Sequence, residues 1–274
     1  MLGLVNEGLG ALPGLNLQSL LELIGQFLFA TLRIGSFLLT SPLFGAKFVL
    51  LPVRILISVS LTIMVVTLNP VLPSIELIGS FRGLVIAFTE LVIGISAGLI
   101  LTIFFAAASL AGEKIAASSG LSMATAVDPT SGSSSPVMAQ ILTLFLLVIF
   151  MSLDGHLVVI RTLIESYEFI PIGGIIKTEP IISAGINAAG LMFTSATLIM
   201  LPFAVVLLLI QISIGVITRS APTLNLFSFA FPITMLAVFF IVHLSMASIG
   251  NGLSNLANDA ILSMQEMMES LING

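Results

Sequence analysis

The chemistry in this chain is carried by two histidines, one hydroxyl-rich stretch and a scatter of isolated ions. Residues 112–136, GEKIAASSGLSMATAVDPTSGSSSP, supply serine and threonine hydroxyls in bulk. Gly120-Leu121-Ser122, with His243 far downstream, has the residue types of an intramembrane serine protease, in which an imidazole activates the hydroxyl. With two histidines in all, some such pairing is unavoidable, and a serine in a serine-rich loop is ordinarily just a small polar residue. No catalytic residue is assigned. His-Glu-x-x-His and the Walker glycine loop are absent. His156 follows Asp154-Gly155 without the second histidine or carboxylate cluster that a zinc site needs, so it reads as part of a turn. His243 reads as a hydrogen-bond donor between helices. The chain has no cysteine, which removes disulfides, iron–sulfur clusters and thiolate chemistry. Neither a metal nor a cofactor is expected.

Arg33, Glu90 and Arg219 lie in or beside apolar runs, and isolated ions in broken helices are what a secondary transporter of a small solute would use. The sequence offers no repeat between its halves, no matched pair of helix breaks and no carboxylate cluster for a proton relay. Glu90 and Arg219 are therefore read as members of structural ion pairs. Together with Arg54 and His156, these residues are expected to make polar contacts between helices or subunits.

The elements that must position these groups belong in a membrane. Hydrophobic residues make up 58% of the chain and charged ones 8%, against about 25% charged in a soluble domain; mean hydropathy is +1.23. Ile55–Ile75, Leu91–Gly112, Pro129–Leu153, Pro180–Thr218 and Ser220–Asn258 all lack Asp, Glu, Lys and Arg, and roughly 20 apolar residues cross the hydrocarbon layer. The last two runs are each long enough for a helical hairpin. The N-terminal MLGLVNEGLGALPG has no basic region ahead of its apolar residues, so the first helix is expected to stay in place. A net charge of −5 with no basic cluster argues against nucleic acid as a partner.

The pattern predicts helices over about Leu17–Thr40 and Val53–Leu68, with a break at Ser41-Pro42-Leu43-Phe44-Gly45 and a turn at Asn69-Pro70 to Pro73. A third segment from near Ile75 to Ala111 is either a bent hairpin or one long helix. Next come a helix over Pro136–Leu153, an amphipathic piece over Asp154–Phe169, a turn at Pro171–Gly174, and two apolar stretches interrupted at Pro202 and at Ser220-Ala221-Pro222. Residues 251–274 read as a separate amphipathic helix. Its stripe is Leu253, Leu256, Ala257, Ala260, Ile261, Met264, Met267, Met268 and Leu271, with Asn255, Asp259 and Glu266 off it. Gly79-x-x-x-Gly83 and Gly94-x-x-x-Gly98 each put two glycines on one helix face, where backbones can approach.

Basic residues ordinarily collect in cytoplasmic loops. Here Arg33, Lys47, Arg54, Arg82, Lys114, Arg161, Lys177 and Arg219 are scattered singly, so that rule gives no orientation. Arg33 sits inside the first apolar helix, where a cation facing lipid costs about 2.5 kcal/mol or more. A partner or an aqueous lumen must accept it, which points to a subunit whose helices face other protein.

The order of Arg33, Ser41-Pro42-Leu43-Phe44-Gly45, Pro52-Val53-Arg54, Gly120-Leu121-Ser122-Met123-Ala124, Asp128-Pro129, Asp154-Gly155-His156, Leu201-Pro202, Arg219-Ser220-Ala221-Pro222-Thr223-Leu224-Asn225-Leu226-Phe227 and Phe231-Pro232 resembles the FliR family of flagellar type III secretion export-gate proteins, whose architecture injectisome homologues share. The resemblance covers nearly the full length. It implies one all-α membrane domain over 1–274, built of helical hairpins that wind with sister subunits into a closed export-gate cone. It also implies a noncatalytic, pore-forming role in the bacterial inner membrane, at the flagellar basal body, with much of the assembly standing out of the bilayer on the periplasmic side. The implied partners are FliP-like and FliQ-like gate subunits, an FlhB-like export-switch protein, membrane lipid, and unfolded flagellar proteins as transported substrate. The family's lumen-plugging loop falls within 112–135, at Gly120, Leu121, Ser122, Met123, Ala124, Thr125 and Ala126, with Asp128 stiffening its exit. Leu121 and Met123 have soft apolar bulk suited to sealing, and the small residues around them keep the loop slim.

Overall fold

The computed structural model describes residues 17–46, 49–68, 80–120, 136–220 and 226–273. Among them lie seven helices and no strand: α1 Leu17–Thr40, α2 Leu51–Leu68, α3 Phe81–Ser119, α4 Val137–Ser152, α5 Gly155–Phe169, α6 Glu179–Ser220 and α7 Leu226–Asn273. Five are long and apolar enough to cross a membrane, six if α4 and α5 count as one broken span. The protein is a polytopic all-α membrane protein.

Each helix buries one face by helical periodicity. In α1, Phe29, Ala30, Arg33, Ile34, Phe37 and Leu38 are buried, a stripe spaced i, i+1, i+4, i+5 that repeats once per turn. The helix stops at Ser41, whose amide donates to Phe37 O (2.9 Å) just before Pro42. Its end is also tied to α3, because Thr102 Oγ1 donates to Thr40 O (2.6 Å). In α4 the stripe is Met138, Ala139, Leu142, Leu146 and Phe150. The hinge between α4 and α5 closes through Asp154, which takes a left-handed φ of 54°, and Gly155, where a Cβ would fall 2.7 Å from the Phe150 ring. The turn expected at 171–174 forms, with Gly174 N–H donating to Pro171 O (2.8 Å) and Gly173 at φ 82°, the position where a type II turn calls for glycine.

One alternative is decided and two expectations change. The segment to Ala111 is one helix of 39 residues reaching Ser119. The two long apolar runs are single helices of 42 and 48 residues, not hairpins, and Pro202 lies inside α6 without ending it. Apolar helices tolerate proline because neighbouring groups, not water, re-satisfy the freed carbonyl. At about 1.5 Å per residue these three helices run about 58–72 Å, roughly twice the hydrocarbon thickness. Finally, 251–273 is the continuation of α7, not a separate helix. Its expected stripe is buried at all nine positions.

The chain gathers into two compact units. The first holds 1–102, 157–185 and 263–274, and the second 103–156 and 186–262. In the first, Gly94 and Gly98 of α3 lie against α1: a Cβ on Gly94 would collide with Arg33 O and Ser36 Oγ, and one on Gly98 with Thr40 Oγ1. In the second, a Cβ on Gly112 would collide with the Ala139 backbone of α4. Small residues thus bring α3 backbone-close to a neighbour at both places, the contact that organises helices where lipid removes the hydrophobic drive. Gly79 of the other glycine pair, and the turn expected at 69–73, lie outside the described residues.

Candidate functional site

In the first unit, Arg33 is fully buried, with its side chain 0% exposed. Its Nε donates to Glu90 Oε2 at 2.7 Å, Nη1 to Ser166 Oγ at 3.0 Å and Nη2 to Ile170 O at 3.0 Å. The guanidinium stacks 4.1 Å above the ring of Tyr167, and the Tyr167 hydroxyl donates to Ala30 O (2.8 Å). Three helices, α1, α3 and α5, are locked by one fork-shaped cation, a role suited to arginine because its donors spread in a plane. Glu90 is therefore Arg33's partner and neither faces lipid.

The other expected polar contacts divide. Arg54 Nη2 donates to Ala46 O (2.6 Å) and Gly45 O (3.2 Å), capping the 41–46 turn from the first turn of α2. His156 Nδ1 is buried and has no hydrogen-bond partner among the described residues. Arg219 is exposed in the last turn of α6, where a cation suits the carbonyl end of the helix. His243 is exposed on α7. Leu121, Ser122, Met123, Ala124, Thr125, Ala126 and Asp128 lie outside the described residues. Gly120 is described, and it marks the point where α3 ends.

That end is fully accounted for. A helix leaves its last four carbonyls without helical donors, and here each has one. Ala116 O accepts from Ser119 Oγ (3.0 Å) and Ala117 O from the Gly120 amide (3.3 Å), with Gly120 in the left-handed region at φ 79°, as a glycine after a helix commonly is. Ser118 O accepts from Gln211 Nε2 of α6 (2.6 Å) and Ser119 O from Thr234 Oγ1 of α7 (3.0 Å). Ala117, Ser118, Ser119, Gly120, Gln211, Ile214, Gly215, Phe231 and Thr234 share the lining of a cavity of ≈ 400 Å³. All belong to the second unit.

The sequence reading missed Gln211, Thr234, Ser166 and Tyr167. A signal existed for two of them. Gln211 is the lone amide between Asn187 and Arg219, and Tyr167 is the only tyrosine in the chain.

The profile of the family described as "Bacterial export proteins, family 1" matches residues 24–260. Among curated proteins, the flagellar biosynthetic protein FliR of Pectobacterium carotovorum subsp. carotovorum is 33% identical over 224 residues, covering 80% of this chain and 84% of that protein. FliR of Escherichia coli (strain K12) is 32% identical over 78% of this chain and 82% of its own length. FliR of Bacillus subtilis (strain 168) is 27% identical, and that match takes in 92% of this chain and 98% of the relative.

Proposed function

The chain belongs to family 1 of the bacterial export proteins, and from that premise we propose that it is a structural, pore-forming subunit of the flagellar type III export gate. The observation that carries this reading is a family match over nearly the whole membrane-spanning part, joined by relatives each named as a flagellar biosynthetic protein. The alternative of a small-solute transporter falls on the same finding. It also loses its best candidates for a substrate site, since Arg33 and Glu90 are spent on each other.

The surface agrees with a subunit that needs neighbours. In α2, Leu51, Ile55, Leu56, Ile63 and Leu68 are all more than half exposed, and α6 shows Ile182, Ile186, Phe193, Leu198 and Leu209 to a similar degree. Helices apolar on every side are stable when lipid or other protein covers them. We assign that cover to FliP-like and FliQ-like gate subunits and lipid of the bacterial inner membrane, with an FlhB-like protein alongside and part of the assembly on the periplasmic side. Unfolded flagellar proteins pass through the centre. Residues 120–126 form the plug that keeps the resting gate closed, Asp128 follows it, and the chemistry is passage without catalysis.

The test is the mass of the complex recovered on an affinity tag when the neighbouring secretion genes are co-expressed. A single large hetero-oligomer is expected. A lone chain of 28.8 kDa plus detergent would overturn the assignment.

A further inference from the structure

The end of α3 is held from two sides by residues to which neither the fold nor the family match gives a role. We propose that Gln211 and Thr234 form a clasp on Ser118 and Ser119, and that this clasp sets how tightly the root of the plug is held. The inference rests on the plug reading above.

Gln211 stands alone as an amide in the apolar run from 188 to 218. A polar side chain in such a run is costly unless paired and is kept where it has a task. Its partner here is a carbonyl that the end of α3 would otherwise leave bare, at 2.6 Å.

Thr234 behaves differently. Its hydroxyl has one proton to donate and three carbonyls within reach: Ser119 O at 3.0 Å on α3, and Phe231 O at 3.0 Å and Ala230 O at 3.2 Å on its own helix. Turning inward keeps the hydroxyl satisfied and leaves only Ser119 O bare. For Gln211 the bond to Ser118 O is the one seen among the described residues. The clasp therefore has a fixed half and an exchangeable half.

Space for movement lies beside it. The cavity of ≈ 400 Å³ runs along Ala117 to Gly120 and the facing residues of α6 and α7. At Gly215 even a Cβ would meet nothing within 4 Å. Once released, the last turn of α3 has room to shift without displacing packed side chains.

The experiment uses the complete co-expressed gate complex in vesicles loaded with potassium chloride, with potassium efflux as the readout and complex mass as the assembly control. The variants are Gln211→Met, Thr234→Val, Thr234→Ser, the Gln211→Met/Thr234→Val pair, and deletion of 120–126. Met and Val keep side-chain volume while removing the donor, and Ser restores it. The deletion should leak most. Gln211→Met should raise resting efflux about three- to tenfold, the worth of one hydrogen bond, Thr234→Val less, and Thr234→Ser should return efflux to the unaltered level. If the deletion leaks while both donor-free variants stay as tight as the unaltered complex, the clasp is wrong and the plug stands. If the deletion itself is tight, the plug reading fails first. A Thr234→Val leak that Thr234→Ser does not restore would refute the hydrogen-bond account. Should Gln211→Met fail to assemble, the Thr234 pair decides alone.

Discussion

Breaking the Arg33–Glu90 pair on one side should damage the protein far more than removing both partners. With Glu90→Ala, the guanidinium keeps Ser166 Oγ and Ile170 O but loses its counter-charge at a site with 0% and 1% side-chain exposure. A buried charge left alone costs about 3–5 kcal/mol. Arg33→Ala leaves the mirror-image orphan, empties volume between three helices, and forfeits the stacking on Tyr167, which contributes roughly 2 kcal/mol when desolvated. Additive losses for the pair would reach about 6–10 kcal/mol. The Arg33→Met/Glu90→Leu double variant removes both charges instead. Ser166 Oγ stays satisfied by its bond to Leu163 O (2.6 Å), and the main residue of damage is the bare Ile170 carbonyl, about 1–3 kcal/mol. In melting of the detergent-solubilised protein, followed by size exclusion after heating, each single variant should lose roughly 6–20 °C at about 2–4 °C per kcal/mol. The double should lose less than either. A double variant that melts at or below the sum of the singles, or a Glu90→Ala variant that melts with the unaltered protein, would refute this reasoning.

Glycine contacts give a second expectation: Gly94→Ala and Gly112→Ala should each destabilise by about 1–3 kcal/mol through overpacking, because both added carbons meet neighbouring backbone. Gly190→Ala, where nothing lies within 4 Å, should leave melting of the solubilised chain unchanged or raise it by up to about 1 kcal/mol through helix propensity; equal losses at all three would count against the packing assignment. A charge on the C-terminal stripe, Met264→Lys, should cost at least about 3 kcal/mol, since Met264 is fully buried and burying an ammonium in place of an apolar side chain is strongly penalised; unaltered chain levels in the membrane fraction would contradict it. Deleting residues 120–126 should leave the mass of the complex intact while the resting membrane becomes permeable to small ions, and a tight membrane would sink the plug.

Local pattern was enough to draw most of the helices. The first helix runs over Leu17–Thr40 as its apolar spacing and the Ser41-Pro42 stop require, and α4 and α5 fall within a residue of the expected bounds. The buried stripe of α7 was legible because packing against protein imposes a 3.6-residue period even in an apolar sequence. Pro202 misled because proline removes an N–H and crowds the preceding turn, a cost that an apolar helix absorbs where neighbouring groups re-satisfy the freed carbonyl. Asn251 misled for a related reason, since a polar residue in an apolar run looks like a boundary but can sit on the exposed face of a continuing helix.

The site was legible in part. Arg33 announced that it needed a partner, but nothing in sequence distance favours Glu90, 57 positions on, over any other carboxylate. The contributions of Ser166 in α5 and of Ile170 O just after it enter only through tertiary packing 133 and 137 residues away. Gln211 and Thr234 escaped because capping of a helix end by remote side chains has no spacing rule, unlike the local cap at Gly120.

The central claim is that exported chains pass the segment beginning at Gly120. The chain has no cysteine, so one introduced at Ser122 is unique, as is a control at Leu198 on the exposed face of α6. With a flagellar substrate stalled in transit and a thiol-specific crosslinker added, the account predicts a covalent adduct of substrate with the Ser122→Cys protein and none with Leu198→Cys. Substrate captured at Leu198→Cys but not at Ser122→Cys, in a complex of full mass, would contradict it.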